Sequence, residues 1–166
     1  MEQTLVILKP DTIQRAITGE IISRFERVGL KIVGVKMVNP DRDHYYHHYE
    51  TISKLGTRRG QKALDVTLDM MTNGPVIALV LEGVGAVDQV RKMSGTTEPK
   101  EAVPGTIRGD YAHISFMHAN DVEVGVANIV HASGDIDEAK MEIKHWFKKD
   151  ELFKYKTLHE KFTQPS

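Results

Sequence analysis

Two apolar runs that do not alternate, Leu5-Val6-Ile7-Leu8 and Val76-Ile77-Ala78-Leu79-Val80-Leu81, set the first limit on the fold. A half-buried strand alternates apolar with polar residues, whereas a strand that is apolar at successive positions has both faces covered. Each run is short and bounded by a breaker, Lys9-Pro10 after the first and Gly74-Pro75 before the second. They read as central strands of one sheet. A single layer of helices covers one face of such a sheet. The other face must meet more of this chain or a second copy, and self-association is expected.

The segments between these runs supply the remaining elements. Thr18 or Gly19 opens a helix with Ile21, Ile22, Phe25 and Val28 on one face, and Gly29 at its C-terminal end. Lys31 to Val38 reads as a strand, and Asp41 caps a short helix carrying Tyr45, His48 and Tyr49. Gly56 to Asn73 is mostly helical, with Leu64, Leu68 and Met71 at helical spacing, and Ala86 to Met93 is a further helix. Ser94 to Gly109 is a loop punctuated by Gly and Pro, of a length that is usually functional or disordered. Tyr111 to Phe116 reads as the fourth strand, and Ile136, Ala139, Ile143, Trp146 and Phe147 mark a final amphipathic helix. Val122, Val124 and Val126 alternate with polar or small residues in a stretch that fits either helix or strand. The order β-α-β-α-α-β-α-β-α predicts an α+β fold, a ferredoxin-like split β-α-β sandwich with a four-stranded antiparallel sheet and helices on one face.

The chain of 166 residues fits a single domain spanning 1–166. Its net charge of −1, with acidic and basic residues interspersed, argues against a nonspecific nucleic-acid or anionic-membrane surface. Cysteine is absent, so disulfides, thiolate nucleophiles and cysteine-based zinc sites fall away. The amino terminus lacks a basic n-region, and no apolar stretch is long enough to span a bilayer. A cytoplasmic protein is expected.

The chemistry concentrates in Asn128-Ile129-Val130-His131-Ala132-Ser133-Gly134, where an amide, an imidazole and a hydroxyl share one short turn. A lone histidine among eight is most often structural. Its company elsewhere in the chain raises His131 above that reading. No Walker-type loop or dinucleotide fingerprint is present, so side chains must bind any phosphate. Lys9 closes the first strand, while Arg91 and Arg108 flank the long loop with Thr97 inside it. Arginine offers a planar fork to phosphate oxygens, although each arginine taken singly reads as a surface ion pair. Glu142 borders the buried face of the final helix, where a carboxylate can turn inward and orient a histidine or serine.

Together these residues resemble the nucleoside diphosphate kinases, from Thr4 to about Tyr155. The resemblance rests on Lys9-Pro10-Asp11, on Arg91-x-x-x-Gly95-x-Thr97 with Pro99, on Pro104-Gly105-Thr106-Ile107-Arg108-Gly109-Asp110, and on Asn128-x-x-His131-x-Ser133. It implies that His131 is phosphorylated in a ping-pong transfer of the γ-phosphate from a nucleoside triphosphate to a nucleoside diphosphate. Ser133 and Glu142 would orient the histidine. Lys9, Tyr49, Arg91, Thr97 and Arg108 would hold the phosphates, and Asn128 with Lys9 would meet the ribose. It also implies Mg2+ bound through the nucleotide's own phosphates, and a homo-oligomer, hexamer or tetramer.

Two segments, near 50–73 and 111–127, are longer than the family pattern. The family's base-stacking aromatic falls near Ala63 or Leu64, where none is found, so apolar contact from Leu64 or its neighbours is expected there. The segment 111–127 is expected at a subunit contact or as a cover beside the nucleotide. Two other readings use the same residues: a catalytically silent ferredoxin-like module, and a phosphohistidine donor to other proteins. Retention of His131, Lys9, Arg91, Arg108 and Asn128 together argues against the first.

Overall fold

The structure, a computed structural model, describes residues 1–163. Its strands are β1 (Glu2–Leu8), β2 (Lys31–Val38), β3 (Val76–Gly83) and β4 (Val130–Ala132). Between β1 and β2 lie α1 (Pro10–Gln14) and α2 (Thr18–Arg27). Between β2 and β3 come α3 (Arg42–Tyr46), a π-helical turn (His47–Ile52), α4 (Leu55–Arg59) and α5 (Gln61–Met71). Helices α6 (Ala86–Ser94), α7 (Ile107–Tyr111) and α8 (Phe116–Asp121) precede β4, and α9 (Ile136–Trp146) and α10 (Glu160–Thr163) follow it. Among these residues no helix is long and apolar enough to cross a membrane.

The sheet order is β2-β3-β1-β4 with every pair antiparallel, the ferredoxin-like arrangement. The two apolar runs are its central strands, β1 and β3, paired through Val6 opposite Leu79. Because successive side chains point to opposite faces, each run feeds two cores. Leu5, Ile7, Ala78 and Val80 pack with Tyr45, Leu64, Leu68, Met71 and Trp146 from α3, α5 and α9. Val6, Leu8, Leu79 and Leu81 pack with Ile21, Phe25, Ala86, Val90 and Ile107 from α2, α6 and α7. Helices therefore lie on both faces, not one. The long excursion between β2 and β3, together with α9, forms the second layer, so the apolar runs do not require a second copy to cover them.

The fourth strand is also displaced from its expected place. Tyr111 ends α7, and Ser115 accepts a hydrogen bond from the His118 N–H at 3.1 Å, capping α8. The β-branched and aromatic content of 111–116 is thus overridden by two helix caps, the other being Thr106 on the Gly109 N–H at 3.1 Å. The free edge of β1 goes to Val130–Ala132, with His131 opposite Ile7.

Residues 122–127 form neither helix nor strand. They lie as a loop against α5, where Lys62 pairs with Glu123 at 2.7 Å. Gly125 makes the close approach: a Cβ there would stand 2.6 Å from the Val66 carbonyl oxygen and 2.7 Å from the Met70 Cβ. Gly125→Ala should push this loop off α5 and destabilise the protein by about 1–3 kcal/mol, the usual cost of overpacking. Urea unfolding measures this. A midpoint equal to wild type would show that the close packing is not maintained in solution.

Candidate active site

The register of β1 and β4 brings the chemistry to one end of the sheet. Lys9 follows β1 directly, and its backbone N–H donates to the Ile129 carbonyl at 3.0 Å. Ile129 adopts φ +71°, a genuine outlier for a β-branched residue. Its N–H donates to Asp11 Oδ2 at 3.1 Å, and its carbonyl also accepts from the Thr12 hydroxyl. This turn sets the directions of Asn128 and His131 on either side of it.

Lys9, Tyr49, Arg91, Thr97, Arg108, Asn128 and His131 all line one cavity of about 900 Å3. Glu142 and Ser133 stand behind His131, fully buried. His131 Nε2 lies 2.9 Å from Glu142 Oε1, and the Ser133 hydroxyl donates to Glu142 Oε2 at 2.7 Å. Ser133 Oγ also accepts from the Leu5 N–H at 3.1 Å, which locks it to β1. Burial by itself pushes the Glu142 carboxyl upward. The His131 ring, its hydrogen bond, His48 and Ser133 outweigh burial and hold the group down at about 2. An ionised carboxylate only accepts, so Nε2 carries a proton, and in the neutral imidazole the lone pair is then on Nδ1.

The cations form a second wall. Burial lowers the Lys9 ammonium to about 8, with Asp11 opposing and Arg108 reinforcing the shift. Lys9 Nζ donates to Asn128 Oδ1 at 2.7 Å, and Asn128 Nδ2 donates to the Thr97 carbonyl at 2.8 Å. Arg108 is buried and donates to the carbonyls of Asn128, Gly95 and Val130 at 3.2, 2.6 and 2.7 Å. A guanidinium has five N–H groups, so two remain for a ligand. Burial, then the neighbouring Arg91, lowers it to about 10, still charged at neutral pH. The Tyr49 hydroxyl is buried with no hydrogen-bond partner among the described residues, and burial pushes its ionisation upward, so it stays a neutral donor.

Several residues here were not singled out from the sequence. His48 is fully buried, with its ring edge-on to His131 at 4.4 Å and its Nδ1 accepting from Trp146 Nε1 at 3.2 Å. The π-helical turn carries both His48 and Tyr49 inward, a placement that ordinary helical spacing does not give. Apolar contact to the base is expected from Leu64 or its neighbours, and of these Leu64 itself is core. It shares the buried stripe of α5 with Leu68 and Met71, while Ala63, Val66, Thr67 and Met70 face the cavity. Leu55, Arg58, Arg59, Phe116, Val124 and Val126 complete that end.

Among the described residues, the histidine and carboxylate donors that come close enough to share an ion are His48, His131 and Glu142. Two nitrogens and one oxygen do not make the all-oxygen shell that magnesium takes. Because the folded-state value of Glu142 is depressed, it contributes stability that is present above its ordinary 4.5 and is lost as pH falls toward about 2. Glu142→Gln should therefore show a shallower loss of stability between pH 5 and 2 than wild type, measured by urea unfolding at each pH. Equal slopes would mean that Glu142 is not held ionised.

Comparison with known proteins agrees with this geometry. A sequence model described as nucleoside diphosphate kinase matches residues 2–152. The nucleoside diphosphate kinase of Pyrococcus horikoshii is 46% identical, covering 93% of this chain and 90% of its own. That of Pyrococcus furiosus is 44% identical, covering 93% and 88%. A solved structure described as a transition-state mimic of the Borrelia burgdorferi enzyme with bound vanadate and ADP superposes with a TM-score of 0.94. It is 40% identical and covers 98% of this chain and 96% of its own. With its sheet order, its cavity and these relatives in agreement, the chain belongs to the nucleoside diphosphate kinase family.

Proposed function

We propose that His131 relays the γ-phosphate of a nucleoside triphosphate to a nucleoside diphosphate in two matched half-reactions. The observation that carries this is the 2.9 Å contact of His131 Nε2 with the ionised Glu142, in a cavity that also holds Lys9, Arg91 and Arg108. The Nδ1 lone pair attacks the γ-phosphorus. The bond from that phosphorus to the bridging oxygen breaks, and its electron pair leaves with the diphosphate. Nε2 keeps its proton, so the phosphorylated ring is cationic, and the Glu142 carboxylate balances it. A second diphosphate then attacks the phosphoimidazole, and Nδ1 recovers its lone pair.

Lys9, Arg108, Arg91, Thr97 and the Tyr49 hydroxyl hold the phosphates, and Asn128 with Lys9 meets the ribose. Phosphoryl transfer asks mostly for positioning and charge neutralisation, which this set of cations supplies. Magnesium would be held by the nucleotide's own phosphates rather than by side chains, and would supply charge neutralisation there alongside Lys9, Arg91 and Arg108. The vanadate–ADP complex of the Borrelia burgdorferi relative supports a nucleotide in this cavity. We also propose that the chain works as a homo-oligomer, a hexamer or tetramer. In support, β2 is an edge of the sheet and exposes Val35 and Met37.

Incubation with ATP labelled in its γ-phosphate should leave an acid-labile, base-stable phosphate on the wild type, released by adding a diphosphate. His131→Gln should carry no label and show no turnover. If it still does both, the nucleophile is elsewhere. Arg108→Ala should retain labelling but lose roughly 10²- to 10³-fold in rate, the usual penalty for removing one electrostatic donor. Steady-state kinetics checks this, and an unchanged rate would remove Arg108 from the transition state.

A further inference from the structure

The cavity has two chemically distinct ends. Around Lys9, Arg108 and Asn128 it is cationic and polar. Away from them its lining turns apolar, with Val66 and Met70 from α5 and Val124 and Val126 from the loop that Gly125 seats against α5. One flat aromatic face belongs to this end, the ring of Phe116. The guanidinium of Arg59 lies over that ring, 4.7 Å from its centroid.

Phe116 is held firmly. Its backbone N–H donates to Glu98 Oε1 at 2.9 Å, which ties it to the loop carrying Thr97. The preceding Ser115 caps α8, and Ala119, one turn on, is fully buried. Phe116 itself is partly accessible from the cavity, whereas a ring serving the core would be closed off. A nucleotide with its phosphates among the cations and its sugar at Asn128 has one group left to place, a planar heteroaromatic base. An apolar slot with one aromatic face and an adjacent guanidinium matches that group in shape and chemistry.

Resting on the reading of the phosphate end given above, we propose that Phe116 is the platform on which the nucleobase stacks in this chain, with the exposed Arg59 yielding its place over the ring and contacting the base from its edge or far side. The aromatic comes from the segment after Arg108, not from the neighbourhood of Ala63 and Leu64. Stacking of this kind accepts every base but favours the larger purine surface. Phe116 and Arg59 are therefore specificity-determining residues, supplied by the two segments that exceed the family pattern.

The test compares binding of ADP with binding of ribose 5-diphosphate, which carries the same phosphates and sugar without a base. Isothermal calorimetry on the full chain gives the ratio of the two dissociation constants, which isolates the contribution of the base. Wild type should favour ADP, and Phe116→Ala should cut that preference by roughly tenfold. Phe116→Trp should restore it, Arg59→Ala should lower it by a smaller factor, and the loss in Phe116→Ala should be greater for ADP than for CDP. If Phe116→Ala weakens both ligands equally, the ring is structural and the proposal is overturned. If the preference is unchanged, the base stacks elsewhere and the proposal falls as well. Labelling of wild type by γ-labelled ATP is measured in parallel. A protein that shows the base preference but takes no label keeps the platform and loses the phosphohistidine.

Discussion

A carboxylate removed from water must find compensating partners, and Glu142 finds them on the two elements that it has to bring together. One oxygen meets His131 on β4, and the other takes the hydroxyl of Ser133, itself locked to the backbone of β1. Ser53, just past the π-helical turn, adds a longer contact of 3.4 Å to the first oxygen. The helix α9, two strands and the inserted layer therefore converge on a single charge. An imidazole facing that charge has one tautomer available, and its reactive nitrogen is assigned by the same contact that holds the fold.

The parts of this arrangement that can be read from the sequence are those that depend on local pattern. The apolar runs of β1 and β3 admit few other readings, and the residue types at Lys9, Arg91, Arg108, Asn128 and His131 mark their chemistry by motif. Harder to read are features decided by distant neighbours. Val130–Ala132 is too short to show a period, so the longer Tyr111–Phe116 is the better strand by pattern, and two caps override it. His48 joins the site through a π-helical turn that breaks the usual spacing. Which of Leu64 and its neighbours faces the cavity is decided by regular spacing instead. The helical period of Leu64 points into the core, and the neighbouring positions Ala63 and Val66 face the cavity. The second face is left open to more of this chain or a second copy, since the pattern of a strand does not say which part of the chain covers it; helices of this chain cover it.

Arg108 shows why roles in such a site resist division. Three of its donors hold the carbonyls of Gly95, Asn128 and Val130, which belong to the long loop and to the turn that carries the histidine. Two donors are left over, and Arg108 lines the cavity. Removing the side chain would take away a charge and also release two segments that the charge helps align. A measured loss for such a residue is a difference between two whole enzymes, and it will not add simply to the losses at Lys9 or Asn128.

The strained Ile129 carries a consequence for how the protein comes into being. A left-handed backbone at a β-branched residue costs about 1–3 kcal/mol and persists only where its surroundings impose it. Those surroundings are Lys9, Asp11 and Thr12, 117 to 120 positions away along the chain, counting 129 − 12 and 129 − 9. A growing or refolding chain can assemble the β1–β3 pair and its flanking helices while His131 is still undirected. Closure of contacts so distant in sequence comes late, because the loop entropy they cost must be met first. Phosphotransfer competence is thus a property of the completed chain, acquired when its beginning and its last quarter meet.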